Sequence, residues 1–243
     1  HKKVNVDFVS RVRIGLPTGT VVATVDEKGN ATYELVKPAA WDEIRVSRKA
    51  LEAVAKAHAF TFGSLAGRSP YNLEQLDRLL AVKGPLKFFD VNLRPPFIDP
   101  GLVMELAKRA DVIKLNDGEA GKLASWLRTG ELQHHTPRTS DEIAEACAAI
   151  ADATDVSHIC VTLAEEGAAL WDGTDLVTAP APKVEVKDTV GAGDAFMAGL
   201  MVGLTRGIEP RKLLENACRL GAYVASHHGA TPLFPEEIKD LFH

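Results

Sequence analysis

Residues 183–204 read KVEVKDTVGAGDAFMAGLMVGL and contain the most specific structural signal of this chain. Alternating β-branched residues give way to Gly191, Ala192, Gly193 and Asp194, and a run of alanine, glycine and large apolar residues follows. This order predicts an extended segment, a tight glycine turn and a buried helix that starts at the turn. Glycine at positions 191 and 193 permits a positive φ and leaves no Cβ in the way of a ligand. We therefore expect the amides of this turn to converge on one point.

The turn stands at the predicted N-terminus of a helix, where main-chain N–H groups lack intrahelical acceptors and the helix dipole is positive. Such a turn binds anions, above all phosphate, without any lysine. Asp194 then has two possible roles. As a helix cap it would only stabilise the turn, whereas beside a transferring phosphoryl group it could accept the proton of a substrate hydroxyl. The tetrapeptide alone leaves both roles open.

Other cofactor and metal motifs do not fit the sequence. The chain has no G-x-x-x-x-G-K-[ST] stretch, and Phe196 occupies the position of the third glycine in the dinucleotide fingerprint. H-E-x-x-H and G-x-S-x-G are also absent from the sequence. His134-His135 and His227-His228 are pairs of adjacent residues, whose side chains point in different directions on a helix or strand, and this disfavours a shared metal ion.

Composition sets further limits on function. The chain has 243 residues, 46% of them hydrophobic, and a net charge of −5 from 28 basic and 33 acidic residues. This length allows one domain, or one domain with an appendage. The charge provides no basic surface for nucleic acid or anionic membranes, so we expect neither as a partner. Three separated cysteines without a C-x-x-C pair disfavour a disulfide framework or a zinc site and fit the cytoplasm.

The order of apolar runs predicts an α/β sheet preceded by a hairpin. Residues 18–26 and 31–36 are rich in β-forming residues, and the four residues 27–30 between them predict a hairpin turn. From residue 47 onward, short apolar runs alternate with helical segments, which is typical of a parallel sheet covered on both faces by helices. The predicted strands are 60–62, 88–91, 112–115 and 159–162, followed by two or three strands among 168–171, 176–179 and 184–186.

Capping residues mark several predicted helix starts. Asp99, followed by proline, is a predicted N-cap, and Thr139 lies three residues before a glutamate, the spacing of a capping box. Asn72 has the same spacing from Gln75 and predicts a helix over residues 73–83.

With these features together, the sequence resembles the pfkB family of carbohydrate kinases, the ribokinase-like group. The second signature of that family, a D-T-x-G-A-G-D run that opens a helix, is similar to residues 188–194. Six further stretches that resemble the family occur in the family's order, at 18–20, 63–65, 90–94, 116–119, 162–167 and 229–232. The resemblance implies a three-layer α/β/α ribokinase-like fold over residues 1–243, with a mostly parallel central sheet and a small β lid that includes residues 14–37.

The resemblance also implies a catalytic centre at the glycine turn. Asp194 would be the general base, and the amides from Gly191 to Gly193 would form an anion hole for the γ-phosphate of ATP. Asn116 and Glu119 are similar to the N-x-x-E pair that organises Mg²⁺, through water, and the ATP phosphates; an exposed helix N-terminus with ordinary capping is the alternative. A hard cation that keeps most of its own water suits such amide and carboxylate oxygens. ATP and Mg²⁺ are therefore the expected cofactors.

Further residues receive ligand roles from the resemblance. Asn92 and Arg94 would contact the sugar, and Arg94 would also assist catalysis because its planar guanidinium suits an anion; a solvated loop arginine is the alternative. Asp188 and the carbonyls near Val190 and Gly229 resemble a monovalent-cation site, commonly occupied by K⁺. The residues implied for nucleotide binding are Asn116, Thr162, Ala164, Gly167, Gly193 and Cys218.

Three departures from the family pattern affect these expectations. The family's opening strand and its G-G-x-x-x-N sugar-binding stretch have no counterpart before the hairpin. The chain is then either N-terminally incomplete or a truncated relative, and we expect the first because a sheet without these strands would expose an apolar edge. Ala164 stands where the family usually has glycine, which predicts a negative φ or a ligand that stands off slightly. Cys218 aligns with an asparagine often found near adenine, while Asn216 lies two residues earlier.

The resemblance implies ATP-dependent phosphorylation of a primary hydroxyl of a small sugar. The F-D-V-N-L-R and G-S-L stretches are most similar to fructokinases, so fructose is the expected substrate. A ribokinase, a 2-keto-3-deoxygluconate kinase, a nucleoside kinase and a non-catalytic regulatory relative are the alternatives. The hairpin would close over the sugar as part of a lid, or it would be an edge hairpin that pairs with a second subunit in a homodimer.

Overall fold

The computed structural model describes residues 15–25 and 31–242 of the chain. Within this part, the residues up to Ala57 form one compact unit together with Leu65–Pro85. The residues His58–Ser64 form a second unit together with those from Leu86 onward. The sequence analysis predicted one kinase domain with residues 14–37 as part of a lid, and this domain organisation stays a prediction.

The first unit contains the predicted hairpin. Strands β1 (Val21–Val25) and β2 (Ala31–Leu35) pair antiparallel, with Val21 opposite Leu35. The amide of Val36 donates to the Thr20 carbonyl at 3.1 Å and extends this pairing beyond the two strands. The hairpin is therefore confirmed, while its predicted turn at 27–30 lies outside the described residues.

Two helices follow in the first unit. Helix α1 spans Arg48–Val54, and α2 spans Pro70–Leu80 with proline at its first turn. The prediction that Asn72 starts α2 is wrong, because Asn72 lies inside the helix. Its side-chain amide accepts the N–H of Ile44 at 2.7 Å and donates to the Trp41 carbonyl at 2.8 Å. Asn72 therefore ties α2 to the loop before α1 instead of capping the helix.

The second unit is built on a six-stranded sheet. Its strands are β3 (Ala59–Gly63), β4 (Leu86–Asp90), β5 (Val112–Asn116), β6 (His158–Thr162), β7 (Ala168–Trp171) and β8 (Leu176–Ala179). The strands lie side by side in chain order, β3 to β6 parallel and β6 to β8 antiparallel. The predicted mostly parallel sheet is confirmed.

Residues 184–186 do not form the third of the strands predicted after 159–162. Pro180 and Pro182 offer no N–H group to a strand ladder, and the chain beyond them turns to the end of a helix. There the amides of Lys187 and Asp188 donate to the Ala225 carbonyl at 2.9 and 3.2 Å. The β-branched residues before the glycine turn therefore form an extended segment outside the sheet.

Helices cover both faces of the sheet. They are α3 (Pro100–Ala107), α4 (Asp117–Thr129), α5 (Ser140–Thr154), α6 (Ala192–Thr205), α7 (Pro210–Ala225) and the short α8 (Glu236–Lys239). On one face, α6 and α7 share a core with Phe88, Val112 and Cys160. Phe89 and Ile113 point to the opposite face, where α4 and α5 contact the strands, and both are fully buried. The predicted three-layer α/β/α architecture is confirmed.

The predicted helix caps at Asp99 and Thr139 are confirmed. The Asp99 carboxylate accepts the N–H of Leu102 at 3.1 Å, and Thr139 forms a capping box with Glu142. Across the described residues, no helix combines the length and the apolar character that a bilayer span requires.

Candidate active site

The glycine turn lies at the start of α6, where the sequence predicts it. Gly191 is the N-cap and has a φ of +85°, a conformation that glycine adopts without steric cost. A Cβ on Gly191 would lie 2.7 Å from the Ala230 carbonyl oxygen, so the backbone of another loop passes close to this residue. Gly193 does not adopt the positive φ that glycine permits, because it is a regular helical residue. At position 193, glycine therefore leaves space beside the helix but is not required by the backbone conformation.

The turn presents main-chain donors that have no protein acceptor. Ala192 is an exception, because its amide donates to the Thr189 carbonyl at 3.2 Å, so it is not available to an anion in this geometry. Within residues 15–25 and 31–242, nothing accepts the N–H groups of Gly193 and Asp194. These two amides and the positive end of the α6 dipole form an anion-binding geometry.

Asp194 occupies the third position of α6 and is exposed. A capping carboxylate at this position would accept the N–H of the N-cap residue. No hydrogen bond to the Asp194 carboxylate occurs within the described part of the chain. Asp194 therefore makes no capping hydrogen bond within the described residues, and its charge lies at the positive end of the α6 dipole. A carboxylate without a partner beside unengaged amides is the arrangement that a general base next to a phosphoryl group requires.

A buried ion pair, which the sequence analysis missed, lies at the carboxyl end of the parallel strands. Lys114 Nζ is 3.1 Å from Asp90 Oδ1 and 3.3 Å from Oδ2, and the two side chains are 9% and 15% exposed. The two residues are direct neighbours in the pairing of β4 with β5. A Cβ on Gly193 would be 3.5 Å from Lys114 Nζ, so the ammonium group lies next to the glycine turn.

The Asp90 carboxylate interacts with Asp194 as well as with Lys114. Burial raises the pKa of Asp90 above its ordinary value, the charge and hydrogen bond of Lys114 lower it, and the negative charge of Asp194 raises it again. The two carboxylates are thus close enough to repel each other, with the Lys114 ammonium beside them. This arrangement places one positive and two negative charges around the start of α6.

The sequence contains a signal for a buried ion pair at Lys114, although it does not show which strands are neighbours. Lys114 interrupts the apolar run V-I-K-L in a strand that is buried on both faces, and Asp90 ends the neighbouring strand. A buried lysine requires an anionic partner. An aspartate at the matching end of an adjacent parallel strand is such a partner.

Asn116 and Glu119 form a complete capping box at the start of α4. Asn116 Oδ1 accepts the N–H of Glu119 at 2.8 Å, and Glu119 Oε2 accepts the N–H of Asn116 at 2.9 Å. Glu119 Oε1 also accepts the N–H of Leu93 at 2.7 Å, so the carboxylate joins the loop after β4 to α4. Burial raises the pKa of Glu119, while these amide hydrogen bonds and the Lys114 charge lower it in part.

The oxygen atoms of Asn116 and Glu119 fit a cation that is bound through the water molecules of its hydration shell. Both carboxylate oxygens already accept main-chain N–H groups, which leaves only their remaining lone pairs for a hydrated ion. Over the described residues, no group of three or more His, Cys, Asp or Glu side chains could bind a metal directly. Oxygen ligands that act through water suit Mg²⁺.

The loop after β4 carries the predicted sugar contacts. Asn92 has a φ of +41°, a left-handed conformation that asparagine tolerates better than most residues. Its neighbours are fixed on both sides, because Val91 N donates to the Lys114 carbonyl at 3.0 Å and Leu93 N donates to Glu119. Arg94 is exposed and donates weakly to the Leu93 carbonyl at 3.4 Å. Asn92 is therefore held in place, whereas the Arg94 side chain extends into solvent.

Asp188 connects the residues implied for a monovalent cation. Its Oδ1 accepts the N–H of Val190 and its Oδ2 accepts the N–H of Gly229, each at 3.0 Å. These two hydrogen bonds lower the pKa of Asp188 below its ordinary value. The fold thus brings together two loops that are 41 positions apart.

The loop from β6 to β7 contains an alanine in a left-handed conformation. Ala164 has a φ of +50°, which excludes the first of the two alternatives, a negative φ, and leaves a ligand that stands off slightly. The loop is closed by Leu163 N, which donates to the Gly167 carbonyl at 2.8 Å, and Gly167 has a φ of +115°. Thr162 is fixed by its hydroxyl, which donates to the Leu115 carbonyl of β5 at 3.3 Å. The alanine adopts a backbone conformation that glycine would adopt without strain.

Cys218 lies in the core between α7, α6 and the sheet and is 5% exposed. Burial raises the pKa of its thiol to about 11. The nearby Asn216 is also buried, and its side chain donates to the Leu241 carbonyl near the end of the described chain. Cys218 therefore packs in the core, and the nucleotide contact that the resemblance implies for it stays a prediction.

A comparison with known families matches the fold and the glycine turn. The sequence pattern described as pfkB family carbohydrate kinase matches residues 1–237. The chain belongs to the pfkB family of carbohydrate kinases. An uncharacterized sugar kinase of Archaeoglobus fulgidus is 30% identical over 223 residues, which are 92% of this chain and 80% of that protein. A 1-phosphofructokinase of Rhodobacter capsulatus is 34% identical over 125 residues, 51% of this chain and 36% of that protein.

Solved structures confirm the ribokinase-like fold. Arabidopsis thaliana ribokinase, in a complex with ribose and ATP, has a TM-score of 0.74 and 24% identity, and the match covers 94% of this chain and 70% of that one. Thermotoga maritima ribokinase has a TM-score of 0.70 and 22% identity, covering 95% and 71%. Family membership makes the chain a sugar kinase, a class of enzyme that transfers a phosphoryl group from ATP to a sugar.

Proposed function

We propose that this pfkB-family chain phosphorylates a primary hydroxyl of a small sugar, with fructose as the expected substrate and Asp194 as the general base. One observation carries the proposal. An exposed carboxylate without a hydrogen-bond partner in the described chain stands at a helix start whose second and third amides are also unengaged. A proton acceptor and an anion-binding site are thus combined in a single turn.

In this mechanism Asp194 accepts the proton of the sugar hydroxyl as the hydroxyl oxygen attacks the γ-phosphate. The amides of Gly193 and Asp194 stabilise the charge of the transferring group, and the Lys114 ammonium adds a positive charge beside them. Asn116 and Glu119 would hold Mg²⁺ through water, and a bound Mg²⁺ would neutralise charge on the ATP phosphates. Little proton transfer is needed early in a loose phosphoryl transition state, so a carboxylate is a sufficient base.

Fructose is supported by two kinds of similarity. The stretch at 90–94 is most similar to fructokinases, and relatives with names that refer to related ketose compounds match parts of this chain. These are the 1-phosphofructokinase of R. capsulatus and the fructoselysine 6-kinase of Escherichia coli, which is 35% identical over 72 residues, 30% of this chain and 28% of that protein.

A nucleoside is the second candidate substrate. Aminoimidazole riboside kinase from Salmonella enterica, solved with aminoimidazole riboside and an ATP analogue, has a TM-score of 0.67 and 25% identity, covering 96% of this chain and 76% of that one. An assay of ADP release with fructose, ribose, 2-keto-3-deoxygluconate and adenosine decides between the candidates. Faster turnover of adenosine than of any sugar would establish the nucleoside alternative.

Asp194→Asn is the test of the mechanism. In the complete gene product, we expect kcat to fall at least ~10²-fold because the general base is lost. ATP binding, measured by titration calorimetry, should change little. Asp141→Asn, at an exposed acidic position in the first turn of α5, is the matched control and should retain full activity. Near-normal turnover of Asp194→Asn would remove the base assignment.

We also propose the remaining roles that the resemblance implies. The hairpin would be part of a lid that excludes water during transfer, and a homodimer through the hairpin can be tested by sedimentation at micromolar concentration. Asn92 and Arg94 would contact the sugar, and Asp188 would order a K⁺ site. Cys147, Cys160 and Cys218 are free and buried, which is compatible with the cytoplasm as the proposed location.

A further inference from the structure

A buried ion pair stands at the base of the hairpin in the first unit. Arg68 Nε is 2.7 Å from Asp42 Oδ1, and Arg68 Nη2 is 3.0 Å from Asp42 Oδ2. The guanidinium therefore donates two parallel hydrogen bonds to the carboxylate. The side chains of Arg68 and Asp42 are 2% and 7% exposed. Asp42 Oδ2 also accepts the N–H of Ala39 at 2.8 Å, which fixes the carboxylate. Bidentate pairs of this kind are strong and strictly oriented.

The same guanidinium also forms hydrogen bonds at the end of β2, the second strand of the hairpin. Strand β2 ends at Leu35, and Arg68 Nη1 donates to the Leu35 carbonyl at 3.4 Å. Arg68 Nη2 donates to the carbonyl of Val36 at 3.2 Å. One side chain therefore binds a carboxylate and the carbonyls of two consecutive residues at the strand end.

Arg68 and Trp41 also contact the residues that precede β1, the first strand of the hairpin. The Arg68 guanidinium carbon is 3.8 Å from the ring centroid of Trp41, a cation–π contact. The indole of Trp41 lies against Gly19, where a Cβ would be 2.5 Å from the ring atom Cδ1. The next residue, Thr20, pairs with Val36 through its carbonyl. The chain therefore contacts the stacked Arg68 and Trp41 side chains both where it enters and where it leaves the hairpin.

The described side chains of the hairpin itself gain little from burial. Val21 is 57% exposed and Val22 is 48% exposed. Consecutive residues of a strand point to opposite faces, so both faces of the hairpin are exposed to solvent at Val21 and Val22. The orientation of the hairpin on its unit is then determined mainly at its base.

We infer that Arg68 is a positioning residue, which sets the orientation of the hairpin and, through the hairpin, the binding of the sugar. We call this anchoring point at the base of the hairpin the joint. Asp42 and Trp41 complete this joint. The inference deepens the proposed function and rests on it for the kinetic consequence, while the structural consequence for the hairpin is independent of any activity. Lysine cannot replace Arg68, because an ammonium group has no planar fork for a carboxylate and no flat face for an indole.

Hydrogen exchange of the complete gene product tests the joint directly. In Arg68→Met, peptides from residues 20–36 should exchange roughly 10²-fold faster, the scale expected when a buried ion pair is broken. Arg68→Lys keeps the charge and is the milder variant, with an expected increase of roughly tenfold. Peptides that contain β4 and β5 should exchange as in the wild type. Arg48→Met removes an exposed arginine of the same unit, 92% exposed and paired with Glu52, and should change nothing.

The kinetic readout separates positioning from simple loss of stability. Both Arg68 variants should show a kcat/KM for the sugar at least ~10-fold lower and more ATP hydrolysed per sugar phosphorylated, with an unchanged KM for ATP. Unchanged exchange over residues 20–36 in Arg68→Lys would overturn the joint. Equal acceleration in all peptides would also overturn it, because Arg68 would then stabilise the whole protein. If the wild type phosphorylates no sugar, the proposed function fails and the exchange result still decides the joint.

Discussion

Gly191 is subject to two constraints that only glycine meets. Its φ of +85° is a left-handed conformation, and a Cβ would lie 2.7 Å from Ala230 Cβ and the Ala230 carbonyl oxygen. Gly193 is helical, and a Cβ there would lie at an ordinary contact distance of 3.5 Å from Lys114 Nζ. Two glycines in one motif therefore have different physical roles.

This difference predicts opposite stability effects for two similar substitutions. Gly191→Ala should lower the free energy of unfolding by about 2 kcal/mol or more, from backbone strain and overlap with the neighbouring loop. Gly193→Ala should leave stability unchanged or raise it by up to ~1 kcal/mol, since alanine favours a helix. Urea unfolding of both variants measures the difference, and equal losses would contradict the assigned backbone geometry.

At Ala164 we predict the opposite effect, a higher free energy of unfolding when glycine replaces alanine. Because its φ of +50° strains an L-residue, Ala164→Gly should raise the free energy of unfolding by roughly 0.5–1 kcal/mol. Ala198→Gly, at an exposed position inside α6, is the matched control and should lower it by about 1 kcal/mol. Thermal and urea unfolding give both values. A destabilised Ala164→Gly variant would mean that the residue is not left-handed in the protein.

Residue types identified most of the candidate site, but backbone angles and pairings were beyond the sequence. Asp194 and the Asn116–Glu119 pair stand at helix starts, where local spacing is informative, and the structure places them there. The φ of Ala164 depends on the closure of its loop by Leu163, which no local pattern reports. The partner of Lys114 depends on which strands become neighbours, a tertiary property.

At the scale of elements, β4 and β5 together carry the charged group beside the turn. Their parallel register places Asp90 next to Lys114, with both side chains largely buried. Removal of one partner leaves an uncompensated buried charge, which typically costs about 3–5 kcal/mol. Removal of both partners leaves a smaller cost, since no isolated charge is then buried.

A double-mutant cycle tests this pair. Lys114→Met should lose about 3–5 kcal/mol of unfolding free energy, and the Asp90→Asn/Lys114→Met double variant should lose less than Lys114→Met alone. Urea unfolding measures stability, and ADP release measures activity. Both variants should have lower turnover, because the ammonium beside the glycine turn is missing in each. A loss in the double variant that equals the sum of the losses in Lys114→Met and in Asp90→Asn alone would contradict a coupled pair.

The elements themselves were largely predictable because periodicity and capping are local. The predicted strands of the alternating region are present up to 176–179, and the caps at Asp99 and Thr139 form as expected. Residues 184–186 have the composition of a strand but lie in an extended segment, since the following amides bond to the end of α7. Asn72 has the spacing of a cap, but tertiary contacts with Trp41 and Ile44 engage its side chain instead.

At the scale of the molecule, the fold joins segments that are remote in sequence. The carboxylate of Asp188 joins the loop before α6 to the loop after α7, because it accepts the amides of Val190 and Gly229. The two loops also lie close together at Gly191 and Ala230. With those N–H groups bound to the carboxylate, the carbonyls of the same loops are held in a fixed arrangement. A monovalent cation bound by these carbonyls would then help to hold the glycine turn in place.

This arrangement predicts a kinase activity that depends on K⁺. Exchange of K⁺ for the bulky tetramethylammonium ion, which carries the same charge but is too large for a carbonyl cage, should lower kcat several-fold at constant ionic strength. Asp188→Ala should lower kcat in K⁺ and abolish the difference between the two salts, because the loops are no longer joined. Asp172→Ala is the matched control: Asp172 also accepts two main-chain amides, those of Thr174 and Asp175, but in the turn between β7 and β8. It should keep the full response to K⁺. Equal rates of the wild type in both salts would remove the cation from the mechanism and leave Asp188 as a purely structural link between the two loops.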